Sequence, residues 1–191
     1  MKFDSYIDEL IDVMRGIEIT CSGSEMNYAD GVKALVDGFT EKKKNGFKVF
    51  FVGNGGSAAI ASHMTADFMK NGGLVTCSLY DTAVTTCMGN DYGYQDIFSR
   101  PLEFLASKGD LLVAISSSGK SPNIINAINA AKKKNADVYT LTGFSSDNPV
   151  RGMGDINVYV PIEKYGIVES IHNMILQEIV DVIMERDGVN I

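Results

Sequence analysis

Val49-Phe50-Phe51-Val52-Gly53-Asn54-Gly55-Gly56-Ser57 is the stretch that decides the fold of this chain. An apolar run without polar alternation fits a strand covered on both faces. The glycines that follow are turn residues, and Ala58-Ala59-Ile60 continues as helix. The same order recurs where Leu111-Leu112-Val113-Ala114-Ile115 runs into Ser116-Ser117-Ser118-Gly119-Lys120-Ser121, again ahead of a helical stretch. A loop at the start of a helix offers unpaired backbone N–H groups, hydroxyl donors and the positive end of the helix dipole, a combination suited to phosphate. Glycine and serine alone would be explained by ordinary turns; their placement after a strand and before a helix, twice, points to an anion.

Working outward, the chain alternates. Strands are expected near residues 47–52, 75–80, 111–115, 137–142 and 156–160, and helices near 57–70, 95–106, 121–135 and 166–186. Strand–helix alternation implies a parallel sheet covered on both faces. Val138-Tyr139-Thr140-Leu141-Thr142 also empties into a turn-rich segment, 143–149, so three loops would share the carboxyl edge of the sheet, where open α/β sheets bind ligands. Residues 4–20 and 25–45 carry apolar side chains at helical spacing. The second of these ends in Lys42-Lys43-Lys44-Asn45-Gly46, which reads as a C-terminal cap. These N-terminal helices have no evident partner sheet and suit either oligomerisation or packing on their own subunit. The expectation is one domain over 1–191, with oligomerisation helices in 1–45 and an α/β core in 46–191.

Composition narrows the function. With 191 residues, 45% of them apolar, the chain can bury a sizeable core. A net charge of −7 argues against a nucleic-acid partner, while leaving local anion binding by backbone N–H groups intact. Three cysteines without CxxC spacing argue against a disulfide framework and point to a reducing cytoplasm. The acidic N-terminus lacks the character of a signal peptide, and no apolar run is long enough to span a membrane. Gly119-Lys120-Ser121 mimics the end of a Walker A loop, but residue 114, where its first glycine belongs, is Ala114. The first loop likewise departs from the GxGxxG dinucleotide fingerprint at Ala58.

Taken in order, Gly53-Asn54-Gly55-Gly56-Ser57-Ala58-Ala59, then Gly89-Asn90-Asp91-Tyr92-Gly93-Tyr94 with Phe98-Ser99-Arg100, then Ile115-Ser116-Ser117-Ser118-Gly119-Lys120-Ser121 resemble the sugar isomerase (SIS) domain family, and within it the phosphoheptose isomerase branch. The resemblance implies a three-layer α/β sandwich of flavodoxin-like type with a five-stranded parallel sheet, and a homotetramer holding a phosphorylated sugar between subunits. It implies phosphate contacts from Ser116, Ser117, Ser118 and Ser121, with Asn54, Gly55, Gly56 and Ser57 beside them, and sugar contacts from Asp91. The implied activity is aldose–ketose interconversion of a sugar phosphate such as sedoheptulose 7-phosphate, feeding heptose or surface-polysaccharide (lipopolysaccharide or capsule) precursors. Members of the same family also act as phosphosugar-binding or protein-binding tetramers without turnover, and that alternative stays open.

The match departs at the chemistry. Isomerisation moves a proton between C1 and C2 through an enediol, and needs a base, a carrier for the hydroxyl proton and a stabiliser of the oxyanion. The branch is similar to a His-x-x-x-Glu after the first loop, with a Gln and, eight residues later, a His on the last helix, often around a zinc ion. Here the first pair is His63 and Asp67, with the carboxylate one methylene shorter, about 1.5 Å. The later pair is Glu169 and Gln177, and Gln carries no titratable proton. His172 falls at i+3 from Glu169 on the same helix. The candidate catalytic set is therefore Asp67 as base and His172 as acid, with Glu169 and Gln177. His63, Asp67 and Glu169 are the candidate ligands if zinc is bound. A packed core histidine is the other reading of His172. The segment Asn71-Gly72-Gly73-Leu74 is shorter than the basic loop the resemblance leads one to expect, and Glu163 and Tyr165 could line the pocket instead.

Overall fold

The computed structural model describes residues 3–189; Met1, Lys2, Asn190 and Ile191, which the 1–191 domain expectation includes, lie outside the described residues. In chain order the elements are α1 (Phe3–Arg15), β1 (Glu18–Cys21), β2 (Ser24–Met26), α2 (Tyr28–Asn45), β3 (Lys48–Val52), α3 (Gly56–Lys70), β4 (Val75–Cys77), α4 (Thr82–Tyr92), α5 (Ser99–Leu105), β5 (Leu111–Ser116), α6 (Pro122–Lys133), β6 (Asp137–Gly143), β7 (Ile156–Val160) and α7 (Tyr165–Arg186). One sheet runs β2-β1-β7-β6-β5-β3-β4. Strands β4, β3, β5, β6 and β7 pair in parallel, matching the five expected strands, and β1 and β2 extend the β7 edge antiparallel.

Successive residues of the central strands serve two cores. Val49, Phe51, Leu111, Val113 and Ile115 face a core shared with α2, α3 and α7; Phe50, Val52, Leu112 and Ala114 face one shared with α5 and α6. This period-2 division of an all-apolar run is what a doubly covered strand requires. From β3 the chain steps outward to β4, then returns across β3 to β5 and continues to β6 and β7. The sheet therefore changes direction between β3 and β5, the position at which open α/β sheets leave a crevice. The two glycine/serine loops leave these two adjacent strands.

Two segments differ from the sequence expectation. Residues 16–20 and 25–26, inside the two expected helices, belong instead to the turn and the β1–β2 hairpin. Ser22 (φ 49°) and Gly23 (φ 81°) are both left-handed, the geometry of a two-residue hairpin turn, and Ile19 drives into the core. The helix at 82–92 was not expected, because it is rich in β-branched Thr and buries no residue; Asp81 caps it by accepting from the Val84 N–H at 3.0 Å. The expected cap at Gly46 is present, with φ 67° and its N–H directed to the carbonyls of Lys42 and Lys43. No helix among the described residues is long and apolar enough to cross a membrane.

Candidate functional site

The first loop is held in place before any ligand arrives. Gly55 has φ 56° and ψ −121°, a conformation that favours glycine, and so turns β3 into α3. Tyr80 clamps Gly53 on both sides: the Gly53 N–H donates to its hydroxyl at 2.7 Å, and the hydroxyl donates to the Gly53 carbonyl at 2.8 Å. Burial raises the Tyr80 pKa, so the hydroxyl stays protonated and able to do both. The Asn54 side chain pairs reciprocally with Asn123 of α6 (2.9 and 2.8 Å), and its oxygen also accepts from the Tyr94 hydroxyl at 2.8 Å. Asn54 thus ties the first loop to the helix that follows the second.

The second loop leaves β5 at Ser116. The Gly119 N–H folds back onto the Ser116 carbonyl (3.2 Å) and its hydroxyl (3.1 Å). Ser117 is 4% exposed, and its buried Oγ has no hydrogen-bond partner among the described residues. Ser121 stands at the N-cap of α6 without capping it, which leaves its hydroxyl uncommitted. Asn54, Ser57, Ser116, Ser117, Ser118, Ser121, Tyr165 and Glu169 line a cleft of about 100 Å³ at the starts of α3 and α6. Orphan hydroxyls and two helix N-termini facing one small polar cleft suit a tetrahedral oxyanion. The cleft is smaller than a whole-sugar site, roughly 300–1,000 Å³ for small ligands in general, so it holds a head group.

Glu169 reaches this cleft from α7. Its carboxyl group lies so close to Gly56, the first residue of α3, that a Cβ there would stand 2.5 Å from the Glu169 Cδ. Among the described residues the carboxylate has no hydrogen-bond or ion-pair partner. Farther along the same α3–α7 seam, Gln177 gathers the second group. Its Nε2 donates to Asp67 Oδ2 at 2.7 Å and lies 3.1 Å from His63 Nε2, while His63 and Asp67 are 3.3 Å apart.

His172 does not join either group. The i+3 spacing that suggested a neighbour of Glu169 turns it instead into the core, fully buried, with Nε2 against the Thr142 carbonyl at 3.0 Å and Nδ1 unpartnered. Burial pushes its pKa down to about 4, so it is a neutral packing histidine and not an acid at the site. The expected zinc set is not assembled either. Glu169 belongs to the loop cleft, the third side chain at His63 and Asp67 is the Gln177 amide, and no group of three or more His, Cys, Asp or Glu side chains suited to a metal occurs among the described residues. Asp91 sits exposed in the last turn of α4, against Cys87 Sγ (3.6 Å) and the Asn90 amide (2.8 Å), and does not line the cleft. Sequence reasoning missed Tyr80, Tyr94 and Asn123, all polar side chains whose partners are distant in sequence. The one local signal was Asn123 directly after Pro122 at a helix start.

Relatives agree with this architecture. The model of the SIS domain family matches residues 14–143. The phosphoheptose isomerase of Aliarcobacter butzleri (strain RM4018) is 41% identical over 138 residues, 69% of this chain and 72% of that protein. The phosphoheptose isomerase of Sulfurimonas denitrificans is 38% identical over 152 residues, 75% of this chain and 77% of that protein. The solved structure of phosphoheptose isomerase GmhA from Neisseria gonorrhoeae superposes with a TM-score of 0.82 at 29% identity, covering 94% of this chain and 96% of that one. A family match over more than half of the chain places the protein in the SIS domain family.

Proposed function

We propose that the chain is an aldose–ketose isomerase of a phosphorylated sugar, acting on a seven-carbon ketose phosphate such as sedoheptulose 7-phosphate and supplying heptose for surface-polysaccharide precursors. The observation that carries this reading is the separation of the two polar groups along one helix seam. Gly56, at the loop cleft, and His63 are seven residues apart on α3, roughly 10 Å at a rise of about 1.5 Å per residue. A seven-carbon chain with phosphate at one end reaches about as far, with C1 and C2 at the other end, since each C–C bond of about 1.5 Å advances an extended chain by roughly 1.25 Å. Phosphate in the serine cleft therefore delivers C1 and C2 to His63, Asp67 and Gln177.

On this reading Asp67 takes the proton that moves between C1 and C2. His63, and not His172, moves the hydroxyl proton. Gln177 transfers no proton. Its amide holds the Asp67 carboxylate and the His63 ring on the same side of the seam. Glu169 meets sugar hydroxyls beside the phosphate, where its carboxylate is uncommitted. The donors at the reacting end do not form a zinc set within one chain, and no step here runs through a metal. The exposed apolar residues of α1, Phe3, Tyr6, Ile7 and Ile11, and a cleft of about 550 Å³ bordered by α1, Tyr28 and Met174, support a homo-oligomer, read as a tetramer working in the cytoplasm. A second reading, phosphosugar binding without turnover, draws on Gln177, a group that cannot titrate at the reacting end.

The test follows sedoheptulose 7-phosphate by NMR with the wild type, Asp67→Asn and His63→Ala. Turnover lost by about 100-fold or more in each variant, within the usual range for removing an acid or base, supports the assignment. Turnover that survives both substitutions sinks it. Phosphosugar binding without turnover in the wild type favours the second reading.

A further inference from the structure

The segment between β6 and β7 contains a side chain that no part of the isomerase reading uses. Asn148 is 3% exposed, yet it comes from a loop. Its Nδ2 donates to the Ser117 carbonyl at 3.1 Å and to the Gly143 carbonyl at 3.0 Å, and its Oδ1 accepts from the Val150 N–H at 3.1 Å. The Gly143 N–H donates to the same Ser117 carbonyl at 3.0 Å. Both lone pairs of the Ser117 carbonyl are therefore spent on the β6 side of the loop.

That fixes the next donor. The peptide bonds of the described residues contain no cis form, and across a trans peptide the N–H of residue 118 points opposite to the carbonyl of residue 117. Ser118 N–H is thus turned away from the Ser117 carbonyl that Asn148 holds; Ser118 lines the cleft, and its N–H makes no turn or loop hydrogen bond among the described residues. Beside it lies the orphan Ser117 Oγ. Gly119 completes the arrangement. At φ +61° it curls the loop, and a Cβ there would overlap the Asn148 amide, standing 2.7 Å from Nδ2. A glycine at 119 is what lets the amide lie against the loop.

We propose that Asn148 is the positioning residue of the anion loop: its carboxamide pins the Ser117 carbonyl and so aims the Ser118 N–H and the Ser117 hydroxyl at the substrate phosphate. Only an amide supplies two donors and an acceptor in this arrangement; a carboxylate would set oxygens against two carbonyls. The inference rests on the phosphate assignment made for the serine cleft but not on turnover.

Inorganic phosphate is the probe, added to the ¹⁵N-labelled full-length protein. The Ser118 amide proton should move downfield as phosphate saturates, as for a donor to an oxyanion. Asn148→Ala should raise the phosphate Kd and the phosphosugar KM together, by about tenfold or more, with kcat within about threefold, the pattern of lost uniform binding. Gly119→Ala, which displaces the same amide from the other side, should reproduce that pattern. A Ser118 amide that stays still at phosphate saturation overturns the proposal even if neither variant folds. So does a folded Asn148→Ala that binds phosphate like the wild type, or one whose kcat falls at unchanged KM. Phosphate binding with a shifted Ser118 amide but no isomerisation would instead sink the isomerase reading and leave this one standing.

Discussion

The carboxyl group of Glu169 occupies the space in front of Gly56 that any side chain at that position would need. One glycine, the first residue of α3, thereby lets α7 place a negative charge beside the serine cleft, at a helix N-terminus that favours it. The pairing also explains why the glycine run of the first loop extends one residue past the left-handed Gly55. Gly55 is needed for its backbone angles, Gly56 for its missing Cβ.

Gly56→Ala should therefore separate activity from stability. The added methyl group favours the helix by roughly 0.5–1 kcal/mol while pushing Glu169 out of the cleft. Thermal melting should hold or rise, and kcat/KM should fall by about 100-fold, the cost that a misplacement of about 1 Å away from the chemistry can carry. Unchanged kinetics would mean that Glu169 does not touch the substrate.

His172 gives the protein an acid-side weakness. Its folded pKa of about 4 lies below the ordinary 6.5, so the unfolded chain binds a proton between these values that the folded chain refuses. The contribution is intact above pH 6.5 and is lost as the pH falls toward 4, by an amount on the order of 3 kcal/mol at about 1.4 kcal/mol per pKa unit. Gln at this position keeps an N–H for the Thr142 carbonyl without titrating. Urea unfolding of His172→Gln across that range should lose less stability on acidification than the wild type, at unchanged turnover. Parallel losses in the two proteins would contradict the burial argument.

Tyr80→Phe removes both hydrogen bonds from Gly53 and leaves a buried N–H and carbonyl unpaired. The expected cost is about 1–3 kcal/mol in chemical denaturation. KM should rise, because the first loop loses the clamp that fixes its entry.

Gln177→Glu sets a second carboxylate 2.7 Å-range from Asp67, where the amide now donates. Two such groups resist joint ionisation, so the acidic limb of the kcat/KM profile should move upward by about one pH unit or more. A profile that keeps its position would remove Asp67 from the role of base.

The apolar runs at 49–52 and 111–115 carried the central sheet in plain view, because strands buried on both faces leave no polar alternation to confuse them. The serine cleft was equally legible, since a loop at the start of a helix advertises its donors locally. What escaped was non-local. The hairpin around Ser22 and Gly23 hid behind a helical pattern that Ile17 happened to extend. Helix α4 carries Asp91 away from the cleft and has no buried stripe to announce it. His172 and Glu169 sit three residues apart, yet neighbouring positions on one helix can face a core and a cleft, and only the packing of α7 against the sheet decides which. The bracing amides of Asn123 and Asn148 find partners 69 and 31 residues away, and no spacing rule reaches that far.

On the proposed function, the sugar lies along the α3–α7 seam, with its phosphate in the serine cleft and C1 and C2 at His63 and Asp67. Solvent deuterium incorporation at C1 and C2, followed by NMR in deuterated water, tests it most directly when a seven-carbon ketose 7-phosphate is compared with a five-carbon ketose 5-phosphate. The shorter chain falls short by two bonds, roughly 2.5 Å at bond lengths of about 1.5 Å. Exchange is expected with the seven-carbon substrate and at least about 100-fold slower exchange with the five-carbon one, the penalty for misplacement beyond about 1 Å. Equal or faster exchange with the five-carbon phosphate would contradict it.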